Sequence, residues 1–201
     1  MPVNVPNLLT WLRIMMIPVL IGVFYVPDAW LSAWSRNVIA TAVFAVAAIT
    51  DWLDGYLARR LNQQSAFGAF LDPVADKLMI CAALIVLVDL ERVNGIIAFV
   101  IIGREIAISA MREWMAKIGQ SKSVTVNLLG KVKTISQMIA VPLLLYHDRI
   151  GLFNPQRIGM WLIYLAAILT LLSMFNYLQR AMAPRAPGDR RRSIDRRGSG
   201  P

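Results

Sequence analysis

Four aspartates carry the strongest chemical pattern in this chain. Asp51 and Asp54 stand three apart in AITDWLDGYLARR, so on a helix their side chains share a face. After a polar link, GAFLDPVADKLM spaces Gly68, Asp72 and Asp76 by four, which stacks them along one helical face. Pro73 suits the first turn of such a helix. Four carboxylates at the ends of two consecutive antiparallel helices can converge, yet unpaired they would repel and be costly to bury. A hard divalent cation removes both costs, because Mg2+, Mn2+ and Ca2+ prefer oxygen ligands. No His or Cys lies near, which argues against zinc. Mg2+ commonly combines carboxylates with the phosphate oxygens of a substrate. Two such ions can clamp the attacking and leaving oxygens of a phosphoryl displacement. The competing reading is four interfacial acids, each solvated on its own.

Small residues surround the acids. Gly55 and Ala58 follow Asp54, and Gly68 precedes Asp72 by one turn. Glycine admits close approach of a ligand but equally serves tight helix packing in membranes. Arg59 can grip a phosphate by a bidentate contact, whereas Arg60 reads as a plain surface charge. A second group is cationic. Arg104 and Arg112 share a face of VIIGREIAISAMREWMAKIG, and Lys131 and Lys133 open GKVKTISQ. An arginine in mid-span implies a wet cavity or a buried anion. Two readings of this group stand side by side. It forms an anion pocket beside the first cluster, or Arg104 pairs with an acid of that cluster and the lysines are anchors.

The elements that must position these residues are membrane helices. The chain is 57% hydrophobic over 201 residues, with mean hydropathy +0.56, and a span needs roughly 20 mostly apolar residues. Six stretches qualify: about 7–25, 37–58, 73–90, 94–116, 132–147 and 158–179. The expected fold is therefore an all-α membrane bundle over residues 1–180, with an active site at the cytoplasmic helix ends. Residues 181–201 form a Pro/Gly/Arg-rich tail expected to be disordered. The N-terminus lacks a basic region and a small-residue cleavage site, so a cleaved signal peptide is not expected.

The net charge of +9 does not point to nucleic acid. Seven of the 21 basic residues lie from Arg180 onward, where an anionic inner leaflet would attract them. With the N-terminus inside, only Arg36, Arg92, Arg149 and Arg157 face outward, so both termini are expected in the cytoplasm. Tyr25, Trp30 and Trp34 fit an outer aromatic belt. Cys81 reads as a small core residue, and His147 as a surface residue far from the acids.

The whole acidic string reads Asp51-x2-Asp54-Gly55-x2-Ala58-Arg59-x8-Gly68-x3-Asp72-x3-Asp76. It resembles, at every fixed position, the motif of the CDP-alcohol phosphatidyltransferase family. The resemblance implies a six-helix membrane fold, a homodimer and a site for two Mg2+ or Mn2+ ions. It also implies an activity: cleavage of a CDP-linked lipid such as CDP-diacylglycerol, transfer of the phosphatidyl group to an alcohol, and release of CMP. Carried onto this chain, Asp51, Asp54 and Asp72 would be metal ligands. Asp76 would be the catalytic base, in reach of a metal as well. Gly55, Ala58, Arg59 and Gly68 would line the CDP pocket.

Three further segments, NVPNLLTWLR, GREIAISAMREWMAKIG and VNLLGKVKTISQ, are similar to the bacterial branch whose acceptor is sn-glycerol 3-phosphate, an inner-membrane activity of phospholipid biosynthesis. On that reading Arg104, Arg112, Lys131 and Lys133 hold the acceptor phosphate. The opening segment, with Asn7, Thr10 and Arg13 spaced by three, would lie as an interfacial helix, with Thr10 at the nucleotide pocket. The alternatives are another acceptor (serine, inositol phosphate or phosphatidylglycerol), an intramembrane prenyltransferase, or a divalent-cation transporter. A prenyltransferase would show two separate Asp-rich repeats. A transporter would place its acids near mid-bilayer on several spans.

Overall fold

The structure, a computed structural model, describes residues 5–61, 66–117 and 128–182. Six helices account for nearly all of them: α1 Val5–Gly22, α2 Ala33–Leu61, α3 Ala66–Asp89, α4 Gly95–Lys117, α5 Leu128–Tyr146 and α6 Pro155–Met182. A single 3-10 turn, Val23–Tyr25, follows α1. Among the described residues there is no strand, only an isolated bridge between Ile150 and Phe153. The all-helical reading of the sequence therefore holds.

Successive helices run back and forth, so each short connection returns the chain to the same two ends. α1 lies against α2 and α3, α5 packs along α6 and against α2, and α4 reaches α6 and α3. The core is a column of apolar side chains, among them Leu20, Phe44, Leu84, Leu87, Ile101, Leu144 and Ile163, all nearly or wholly shielded. Small residues set the closest approach. A Cβ added to Gly159 on α6 would come within 2.8 Å of Leu144 Cγ on α5, the role expected of glycine between membrane helices.

Among the described residues three helical stretches are long and apolar enough to cross a bilayer: Leu8–Tyr25, Ala33–Asp54 and Pro155–Phe175, with a shorter apolar one at Val132–Tyr146. The outward faces are greasy throughout. Met15, Val19, Val46, Ile85, Phe99, Trp161 and Ile168 are all exposed, as expected of surfaces that meet lipid rather than water. Tyr25, Trp30 and Trp34 are exposed beside the α1–α2 connection.

Two expectations need correction. The opening segment is not a separate interfacial helix. From Val5 it forms the first turns of α1, which runs unbroken to Gly22 through Pro18. Its polar residues Thr10 and Arg13 are buried because they find acidic partners on α2 and α3. Pro73 is not in a first turn either; α3 begins at Ala66 and carries Pro73 in its interior, which packed membrane helices tolerate. The Arg-rich tail beyond 182 lies outside the described residues.

The end of the bundle opposite the acids is fastened by one side chain. Arg92, in the α3–α4 connection, donates to the carbonyls of Leu144 at 3.1 Å and Leu145 at 2.7 Å, and to Asn37 Oδ1 at 2.7 Å. Asn37 in turn donates to Asp148 at 2.9 Å. The guanidinium thus satisfies the last carbonyls of α5, which have no helical donor of their own, while joining α2 to the α4 side.

Candidate active site

All six helices bring a polar side chain to the other end. α2 supplies Asp51 and Asp54, and α3 supplies Asp72, Asp76 and Lys77. The two acidic pairs come together as their spacing requires. Asp51 and Asp72 lie close enough to Asp54 for their charges to repel its own, and Asp51 stands in the same relation to Asp76.

What meets these acids comes from α1. The Arg13 guanidinium is 1% exposed and sits between the two acids of α2. Its Nη2 donates to Asp54 Oδ2 at 2.5 Å, and its Nη1 lies 2.8 Å from Asp51 Oδ1. Neither Nη1 nor Nε is aligned for a hydrogen bond among the described residues, so buried donor capacity remains in the cluster. The Thr10 hydroxyl donates to Asp72 Oδ1. Sequence reasoning placed Thr10 here but gave Arg13 no partner, although an arginine on a largely apolar segment already required one.

The donor set suits a hard divalent cation. Four carboxylates face one guanidinium, every ligating atom is oxygen, and the excess negative charge is what such an ion neutralises. Arg13 bridges Asp51 and Asp54, and Thr10 holds Asp72. Among the described residues no three acidic, His or Cys side chains form one metal-holding group. Like charges keep apart while Arg13 fills the space between Asp51 and Asp54.

Asp76 joins this cluster to a second compartment. A small cleft at the acidic cluster is lined by Arg13, Ala47, Asp51, Asp76, Met79 and Met138. An open pocket is lined by Asp76, Lys77, Ile80, Glu105, Lys133, Thr134, Gln137 and Met138. Asp76 is on the wall of both.

Of the four predicted cations Lys133 lines the second pocket, and Arg104 joins it there through Glu105. The Lys133 ammonium, buried on α5, pairs with Glu105 on α4. Arg104 Nη1 reaches the same Glu105 oxygen at 3.2 Å, and its Nη2 donates to Ser173 on α6 at 3.1 Å. Glu105, Thr134, Gln137 and Ser173 were not foreseen. An acid beside a mid-span arginine was the available signal for Glu105, since intramembrane charges come paired. Gly68 is buried on α3. Gly55, Ala58, Arg59, Arg112 and Lys131 fall on helices whose backbone is described, but their surroundings lie outside the described residues.

Comparison with known proteins gives this arrangement a lineage. The family model described as CDP-alcohol phosphatidyltransferase matches residues 3–172. A protein of Salmonella choleraesuis named CDP-diacylglycerol–glycerol-3-phosphate 3-phosphatidyltransferase is 45% identical over 183 residues, which is 90% of this chain and 96% of that protein. Proteins of the same name from Escherichia coli K12 and Shigella flexneri are 45% identical over 185 residues, covering 91% of this chain and 97% of theirs. With the family match spanning most of its length and near-complete relatives at this identity, the chain belongs to the CDP-alcohol phosphatidyltransferase family.

Proposed function

We propose that the chain transfers the phosphatidyl group of CDP-diacylglycerol to sn-glycerol 3-phosphate, giving phosphatidylglycerophosphate and CMP in phospholipid biosynthesis. One observation carries the reading: Asp76 lines both the acidic cleft and a pocket that contains Lys133. A base that takes a proton from one substrate for attack on another must face both. The relatives' shared name supports the same pair of substrates.

The residues divide the work accordingly. Arg13 and Arg59 are cations for the donor's pyrophosphate, with Thr10, Gly55, Ala58 and Gly68 along the CDP pocket. Lys133 and Arg104, with Arg112 and Lys131 on the same two helices, receive the acceptor's phosphate. Asp76 takes the proton of the acceptor hydroxyl, whose oxygen attacks the phosphorus of the phosphatidyl group. The bond to the CMP oxygen breaks, and CMP leaves with the electron pair. Asp51, Asp54 and Asp72, with Asp76 at their edge, would hold Mg2+ or Mn2+, two ions by resemblance to the family. When bound, these ions supply positive charge to the pyrophosphate.

The apolar helix faces support a multi-pass membrane protein; we place its six spans in the bacterial cytoplasmic membrane, with both ends in the cytoplasm by the distribution of basic residues. We take it to act as a homodimer. The test is CMP release from CDP-diacylglycerol by the purified protein against a panel of acceptors. Glycerol 3-phosphate should be used far in preference to serine, inositol phosphate, phosphatidylglycerol and glycerol; preference for any of those refutes the assignment.

A further inference from the structure

Glu105 is an acid inside a pocket whose proposed ligand is a dianion. Its side chain is 21% exposed, and it lines the open pocket, whereas that of its partner Lys133 is 3% exposed. One oxygen of Glu105 receives both Lys133 and Arg104, and Arg104 is held from behind by Ser173. The carboxylate thus meets the two cations as a phosphate oxygen would. From these contacts we propose that Glu105 is an exchangeable counter-ion: it compensates Lys133 and Arg104 while the pocket is empty and yields Lys133 to the phosphate of acceptor or product. This rests on the proposed acceptor.

Charge and depth give the reason for such a residue. A buried cation without a partner is costly, so a pocket in which Lys133 had no carboxylate beside it would hold any phosphate that entered it. The reaction leaves that phosphate on the product, in the same pocket. A competing carboxylate weakens the hold on acceptor and product alike. As the product departs, Glu105 takes over the cations and release leaves no unpaired charge. The partly exposed position of Glu105 lets it withdraw toward water, which buried Lys133 cannot do. Glu105 is therefore a positioning residue, acting on the reaction through Lys133.

The test uses the full-length enzyme carrying Glu105→Gln, which keeps the shape and removes the charge. Inorganic phosphate is the probe, as a competitor of glycerol 3-phosphate. Loss of one competing ion pair should lower the Ki of phosphate and the KM of glycerol 3-phosphate together, by about 3- to 10-fold. kcat should fall as product release slows, and KM for CDP-diacylglycerol should not move. Glu105→Asp keeps the charge but draws it back, and should lie between the two. A residue with a merely structural role would lower kcat and leave the Ki of phosphate unchanged or higher; that result overturns the proposal. Should Glu105→Gln not yield folded protein, Glu105→Asp decides alone, and a Ki equal to the wild type's overturns it. The acceptor panel on the wild type is run alongside, so failure of glycerol 3-phosphate as substrate is seen separately.

Discussion

Arg13 Nη2 and Asp54 Oδ2 meet at 2.5 Å with both side chains almost wholly shielded, so the acidic cluster of α2 and α3 is locked to the first helix. Removing one partner of a buried ion pair typically costs ~3–5 kcal/mol, because the other charge is stranded. Arg13→Gln should therefore lower the Tm of the detergent-solubilised protein markedly. The stranded carboxylates then depend more on a divalent cation, so Mg2+ should raise the Tm of the variant by more than it raises that of the wild type. Equal Mg2+ shifts would mean that Arg13 and the metal do not share the same carboxylates.

Excess chelator should abolish CMP release, and Mg2+ or Mn2+ should restore it. Asp51→Asn should weaken metal and donor binding together. Asp76→Asn should retain CDP-diacylglycerol binding and lose turnover by roughly 10²–10⁴-fold, the usual worth of a general base. Near wild-type turnover in Asp76→Asn would move the base to another group.

At the opposite end, Arg92→Ala should damage stability and spare the chemistry. It strands the Leu144 and Leu145 carbonyls and Asn37 Oδ1, and a hydrogen bond from a charged donor contributes roughly 1.5–3 kcal/mol. A depressed Tm with kcat and both KM values unchanged well below that temperature is the expected pattern. A large change in either KM would show that the clamp sets the geometry of the site as well.

What the sequence made legible follows from the cost of charge in an apolar setting. Asp51, Asp54, Asp72 and Asp76 interrupt stretches that are otherwise greasy, and their spacing fixes their helical faces before any neighbour is known. Lys133 and Arg104 were legible for the same reason. Their partners were not. Arg104 had several acids to choose from, and helical phase alone does not say that Glu105, one residue on, lies between it and Lys133. Arg92 looked like an ordinary loop cation, because its acceptors on α5 are more than 50 residues away. The opening helix was misjudged on polarity. Thr10 and Arg13 suggest an interface when read alone, but with Asp72 and Asp54 as partners they are buried and α1 continues without a break.

The acceptor pocket gives the last prediction. Lys133, buried on α5, lines the same pocket as Asp76 on α3, so a phosphate held there leaves the rest of a small polyol to reach the base. Lys133→Gln removes one charge-assisted contact, worth roughly 1.5–3 kcal/mol or about 10- to 100-fold in binding. KM for glycerol 3-phosphate should rise by that order while KM for CDP-diacylglycerol stays near the wild-type value. Arg59→Ala should show the reverse, since its proposed partner is the donor pyrophosphate. The two cations of the pocket also make a cycle possible. If Glu105 acts by competing for Lys133, then in the Lys133→Gln background Glu105→Gln should lower the Ki of inorganic phosphate far less than it does in the wild type. Steady-state kinetics with each substrate varied in turn would decide both points. Damage by Lys133→Gln confined to the CDP-lipid would assign this pocket to the donor and remove the physical basis for a phosphorylated acceptor.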